Sequence, residues 1–355
     1  MRLFKQRFAA LAGLLCAMVA MVCAQGLAGA PADDPITTPV EHRRTPDQTF
    51  LTFPEWYLVH SPAEYAAYLH TTPYPSGFPF FAHIGQFWQG YAAVTKEIER
   101  YPFNGGYHLM VMVIGVSTTV EYTLKGLYEH TLGRLTEASK SRQQVPEEVF
   151  AARYAQAYVD FIRVDPWYKF DFRSQLRELW KDVPLSGPDL TRRWERRYLL
   201  SSELLVKEGY ARLIKLGTQS IYDAPKPVTA VVLSKAPVLD PAHFGDYAAL
   251  APARGDGSVL ATIPRYEGFS SYSRWLAGQG IDFKEIAGND GEVLVSEWVP
   301  LNRRPDGVRL LFEQPILTQA NRKRIVFAVP IARLSTELRR AQSDPVTLVE
   351  HVYDF

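Results

Sequence analysis

Five polar side chains stand inside the most aromatic and least charged part of this chain: His83, Gln86, Gln89, His108 and Glu121. An imidazole can take or give a proton near neutral pH, and amides among Phe and Trp need hydrogen-bond partners if they are buried. Such a set could line a pocket for a lipid-like or aromatic ligand, with a histidine as its acid or base. His83, Gln86 and Gln89 are spaced three and six apart, which allows a shared helix face. The plainer alternative is a group of core polar residues with their bonds made, or the wet edge of an amphipathic helix. Glu121 stands four residues before Lys125, which in turn precedes Glu129 by four, so an i,i+4 charge ladder already accounts for it. His108, Glu129 and His130 offer metal-ligating types without a closed ligand pattern, so no metal and no cofactor is expected.

The elements that must position these residues follow from caps, breakers and periodicity. Thr52 to Glu55 (TFPE) and Ser61 to Glu64 (SPAE) each pair an N-cap hydroxyl with a carboxylate three residues on and a nearby Pro. They predict two consecutive short helices, to His60 and to about Tyr68. The stretch TTPYPSGFPF is too broken by Pro and Gly for a helix, whereas Ala82 to Ala93 suits one. Leu109 to Val116 (LMVMVIGV) is too short to span a bilayer, which takes about 20 apolar residues, so a buried helix or strand is expected there. Further helices are expected at about 146–164, 172–182 and 188–216. Within the last, Arg192-Arg193-Trp194-Glu195-Arg196-Arg197 reads as a solvated helix face, because adjacent arginines surround a helix instead of forming one side.

Ala224-Pro-Lys-Pro227 marks a change of style. Strands are expected at 228–233, 259–263, 281–286, 292–299, 308–312, 324–329 and 346–353, with helices at 266–277 and 331–341. Ala287 to Gly291 (AGNDG) is a turn cluster of the hairpin kind. The order strand–helix–strand–strand is half of a ferredoxin-like unit. The fold class is therefore α+β: a mostly helical, aromatic-rich region at 47–222, then a small α+β domain at 226–355 with an antiparallel sheet.

The chain has 355 residues, 13% of them aromatic, and 39 basic against 38 acidic residues. That balance supplies no global field for nucleic acid, and the 47% hydrophobic content excludes disorder over most of the length. Arg2, Lys5 and Arg7 precede an uncharged run from Phe8 to Ala24, the layout of a secretory signal, with Val22-Cys23-Ala24 as a cleavage site. Read on to Ala30, the same tract is long enough for an uncleaved membrane anchor. Residues 1–30 are thus expected to be signal or anchor, and 31–46 a Pro-rich linker. Both readings put the body in the cell envelope: facing the periplasm from an inner-membrane anchor, or exported to it after cleavage near Ala24. Loss of residues 1–24 removes Cys16 and Cys23, the only cysteines, so the body would use no disulfide.

No phosphate-binding GxxxxGK, GxGxxG, GxSxG, HExxH or EF-hand loop occurs. The leading expectation is a non-enzymatic envelope protein that binds an apolar ligand or an envelope partner. It would touch the membrane through residues 8–30, with lipid or another envelope protein as partner and no nucleic acid. One alternative is an envelope hydrolase acting on lipid or cell-wall material through His83 or His108. The other is an integral membrane protein with additional spans near 80–95 and 105–124.

Overall fold

A computed structural model describes residues 38–45, 47–72, 74–141, 143–217, 228–304 and 307–354. The signal or anchor tract and the Ala224–Pro227 switch lie outside the described residues. Within them the chain forms two compact units, one built from residues 56–87 and 109–217 and the other from 38–55, 88–108 and 228–354.

The first unit is helical. It draws on α1 (Gln48–Thr71), α2 (Phe80–Ile98) and α3 (Gly105–Tyr128), whose other ends belong to the second unit. A π-helical turn, Glu129–Gly133, leads into α4 (Arg134–Ser139), followed by α5 (Pro146–Ile162), α6 (Phe172–Lys181) and α7 (Leu190–Gly217). The two short helices expected from the capping boxes are one: α1 runs unbroken through Pro54 and Pro62. An interior proline costs a helix about 3 kcal/mol. The burial of Trp56, Tyr57, Ala66 and Leu69 along α1 offsets that cost. Freed from capping, Ser61 and Glu64 are buried and serve the tertiary structure instead.

The basic stretch on α7 is not solvated. Arg192, Arg193, Arg196 and Arg197 are all buried, with carboxylates brought to both edges of the face they share. On one side, Arg192 donates to Glu148 at 2.8 Å and Glu137 at 3.1 Å, and Arg196 to Glu129 at 2.6 Å. On the other, Arg193 and Arg197 share Glu147, at 3.1 and 2.6 Å, and donate to backbone carbonyls between Leu179 and Ser186. The four arginines span an arc of only about 140° and so form one side of the helix; α4, α5, α6 and the π turn supply partners along it, while Trp194 and Tyr198 on the opposite side stay exposed.

Among the described residues no helix is long and apolar enough to cross a membrane. This overturns the spans expected near 80–95 and 105–124, and with them the transmembrane-helix reading of these segments. Both stretches are helical, but α2 buries His83 and Gln86, and α3 turns Glu121 and Lys125 toward partners within the unit. Of the aromatics around α2, Phe78, Phe80 and Phe87 are core, packed edge-on with Tyr65, Tyr122 and Tyr57.

The second unit holds two four-stranded antiparallel sheets. The first contains β1 (Val228–Leu233), β2 (Ala248–Ala249), β3 (Val259–Pro264) and β4 (Phe283–Ile286), with α8 (Glu267–Gly278) between β3 and β4. The second contains β5 (Glu292–Pro300), β6 (Arg309–Pro315), β7 (Arg322–Pro330) and β8 (Leu348–Val352), with α9 (Ile331–Ser343) between β7 and β8. Their strand orders are β2-β3-β1-β4 and β6-β7-β5-β8. Counted from its first strand, each sheet therefore has the same order and the same helix position. Each also has a register shift where its first strand meets its fourth, at Val232/Leu233 and at Ser296/Glu297. Apart from a one-turn helix, Pro241–Phe244, between β1 and β2, one βββαβ arrangement occurs twice.

Ala287 to Gly291 is accordingly not a hairpin within one sheet but the joint between the two halves, and it turns on Ala287 and Gly288, both with positive φ. The strand–helix–strand–strand segment is divided between the sheets and does not form half of a ferredoxin-like sheet. Side chains from both sheets and both helices, among them Val231, Phe269, Phe283, Val295, Phe327 and Leu338, make a single core.

Glu297, buried on β5, gives this unit a titration near neutrality. Burial pushes its pKa up to about 7, only partly offset by Arg340, whose Nη2 lies 3.4 Å away, while Glu337 and Asp344 add to the rise. Between pH 4.5 and 7 the folded state then binds the proton that the unfolded chain releases, so stability falls as pH rises through that window. The expected loss is on the order of 2–3 kcal/mol, levelling off above pH 7. Urea midpoints at pH 5 and pH 8 should show it in the wild type and much less of it in Glu297→Gln.

Candidate functional site

Tyr57 and Ser61 stand one turn apart on α1 and reach the same imidazole on α2. His83 Nδ1 lies 3.1 Å from the Tyr57 hydroxyl and 3.0 Å from Ser61 Oγ. Tyr57 donates to the His83 carbonyl at 2.9 Å and to Gln86 Oε1 at 3.2 Å, while Ser61 donates to the Tyr122 hydroxyl at 2.8 Å. Two hydroxyls thus converge on Nδ1, and the tautomer of the ring sets which of them donates. Phe78 stacks on the ring at 4.7 Å, and Glu64 Oε2 lies 3.8 Å from Nε2. Ser61, His83 and Glu64 thus form a hydroxyl–imidazole–carboxylate series.

Tyr57, Ser61 and Tyr122 also form the inner wall of a cavity of about 80 Å³ between α1, α3, α5 and α7, all within the helical unit. Tyr65, Tyr154 and Tyr158 add phenols, and Leu58, Leu69, Ala151, Ala155 and Leu200 add apolar wall. Four charges close it. Lys125 Nζ is 3.0 Å from both Glu121 and Glu203, and Lys207 Nζ is 3.2 Å from Glu121 and 3.0 Å from Glu203. The result is a neutral ring in which every charge touches two of opposite sign. Lys207 also lies over the Tyr158 ring at 4.7 Å, and Lys125 over Tyr65 at 5.6 Å.

The ring fixes its own protonation. Burial alone would raise the Glu121 pKa, but Lys207 and Lys125 together hold it down at about 2. Glu203 is lowered by the same two ammoniums against the same burial. Burial likewise works against the charge of the two lysines, and the carboxylates more than offset it, so both stay ammoniums. Tyr158 is pushed up to about 12, chiefly by burial, and burial raises Tyr65, Tyr122 and Tyr154 further. At neutral pH the cavity therefore presents phenol donors, two cations and two anions.

Of the five residues singled out in the sequence, His83 and Gln86 meet at Tyr57, and Glu121 belongs to the ring. Gln89 is exposed: six residues turn a helix through 600°, which leaves it 120° from His83. His108 belongs to the second unit, where Nδ1 meets the Tyr91 hydroxyl at 2.8 Å and Phe103 stacks on the ring at 4.8 Å. Burial lowers its pKa. Among the described residues no group of three or more His, Cys, Asp or Glu could hold a metal ion. Glu129 is held by Arg196, and His130 Nδ1 lies 2.7 Å from the Gly126 carbonyl. Sequence reasoning missed Ser61, Lys125, Glu203, Lys207 and the tyrosines as site residues. One signal was present: Glu-x-x-x-Lys occurs at 121–125 and again at 203–207, and the ring is those two pairs interlocked.

Comparison of the chain with protein-family models, with the curated proteins and with the solved structures finds no match. The class of site is defined by its geometry alone: a four-helix cavity with phenol donors inside and a closed ring of two lysines and two glutamates.

Proposed function

We propose that the helical unit is a binding module for a small polar molecule, held in the four-helix cavity of a protein of the cell envelope. The observation that carries the reading is the cavity itself. Buried phenols, two ammoniums and two carboxylates converge on open space of about 80 Å³, where close packing would be the norm. At roughly 30 Å³ per water, that space suits two or three waters or a ligand of a few heavy atoms. The envelope location rests on the basic residues and the uncharged run at 2–24, and mass measurement of the mature chain should find its first residue at Gln25.

A cavity-filling variant tests the binding reading. Ala155→Leu places added bulk in the cavity wall and is expected to abolish stabilisation by small-molecule ligands that raise the thermal midpoint of the wild type. A hit whose shift survives in Ala155→Leu binds elsewhere, and a set of such hits alone would sink the proposal.

A further inference from the structure

We propose that Glu121 is a built-in stand-in for the ligand's own anion: the site takes a small carboxylate, which displaces the Glu121 side chain from between Lys125 and Lys207. This rests on the cavity being a ligand site. Three members of the ring are fixed on the protein side, with side-chain exposures of 14% for Lys125 and 15% for Glu203 and Lys207, whereas Glu121 is 40% exposed. Glu121 is the one charge of the ring that can swing to water at little cost in solvation. Its departure leaves both lysines still paired with Glu203, each missing one oxygen at about 3 Å. A ligand carboxylate restores the same two charge-assisted bonds and returns the ring to neutrality, while the freed Glu121 is rehydrated. Inside, its short apolar tail would meet Leu58, Ala155 and Leu200, and a polar substituent would meet the phenols of Tyr122 and Tyr154.

A neutral or cationic ligand gains nothing from this exchange. A cation would have to enter past two ammoniums, and a neutral amide offers the lysines an uncharged carbonyl oxygen in place of the charged Glu121 Oε1 that both of them now touch. The same geometry makes Glu121 a competitor that weakens every anionic ligand by the free energy of the closed ring. Removing its charge should therefore strengthen binding.

The test measures acetate and propanoate against acetamide and propanamide by isothermal titration with the full chain. The proteins are wild type, Glu121→Gln, Glu203→Gln, Lys207→Met and Ala155→Leu, with a thermal melt of each as a fold control. Glu121→Gln is expected to bind a carboxylate about tenfold or more tightly than wild type, with amide binding unchanged. Glu203→Gln removes the same charge from the fixed side of the ring and should gain clearly less. Lys207→Met should lose carboxylate binding. Equal gains in the two Gln variants mean that net charge alone is at work, and the stand-in role falls. Amides that bind as well as carboxylates, losing affinity only in Ala155→Leu, leave the cavity a ligand site and overturn the anion assignment. If no probe binds any folded variant at millimolar concentration, both readings fall.

Discussion

Replacing Glu147 by Ala should lower the stability of the helical unit by roughly 3–5 kcal/mol, read as a large fall in the urea midpoint. Glu147 is buried on α5 and is the carboxylate that accepts from both Arg193 and Arg197, one oxygen to each. Removing it leaves two buried guanidiniums with only neutral partners, backbone carbonyls and, for Arg197, the Trp180 and Trp194 rings, and neither can shed its charge. The size of the effect comes from that remainder and not from the attraction lost. A contrast within the same unit makes the point measurable. Arg153 and Glu178 meet at 2.7 Å, as short as the buried pairs, but are 59% and 32% exposed. Glu178→Ala is expected to change stability by less than about 1 kcal/mol. Equal effects at the two sites would mean that α7's arginines reach water.

The outline of both regions could be read from the sequence because it depends on local signals. Val228–Leu233 and Glu292–Pro300 are largely apolar runs rich in β-branched residues, α5 begins at Pro146, and α6 and α7 begin and end beside Asp or Gly. The failures share a cause: the same residue types serve two uses, and only distant contacts choose between them. Ser61 and Glu64 have the chemistry of a capping box, and His83 and Tyr122, 22 and 61 residues on, take the serine instead. The arginines of α7 would be a solvated face on an isolated helix, and Glu129, Glu137, Glu147 and Glu148 make them a core. The duplicated sheet left no trace at the level of pattern, because β2 has two residues where its counterpart β6 has seven.

The candidate site divides in the same way. His83, Gln86 and Glu121 could be found because polar groups in an uncharged aromatic tract need partners. The ring could not be assembled from 121 and 125 alone, since an i,i+4 pair is self-sufficient on a single helix. It needed the second pair at 203 and 207 to arrive across the cavity. The aromatic load noted in the sequence then takes on a divided meaning: Phe side chains fill cores, while Tyr side chains bring donors to the cavity wall.

In the second unit the largest single effect is expected at Glu350. Trp298 on β5 and Arg324 on β7 are directly opposed in register, and Glu350 on β8 reaches both. It accepts Arg324 Nε and Nη2 at 2.7 Å each and Trp298 Nε1 at 2.6 Å, tying together three adjacent strands on one face. Arg324 is fully buried. Glu350→Ala takes both carboxylate oxygens from that guanidinium and the acceptor from the indole N–H, so a loss of about 3–5 kcal/mol is expected. The pair itself has no such net worth, because both groups had to leave water to form it. Replacing both, as Arg324→Met with Glu350→Leu, removes the desolvated charges along with their attraction. It is expected to recover most of the loss, leaving mainly the unpaired indole at about 1–3 kcal/mol. Urea midpoints for the two single variants and the double variant close the cycle. A double variant as unstable as Glu350→Ala would show that the bidentate pair stabilises the sheet outright. Recovery would show that it serves to fix which strands lie together, in the half of the fold whose counterpart sheet repeats its topology.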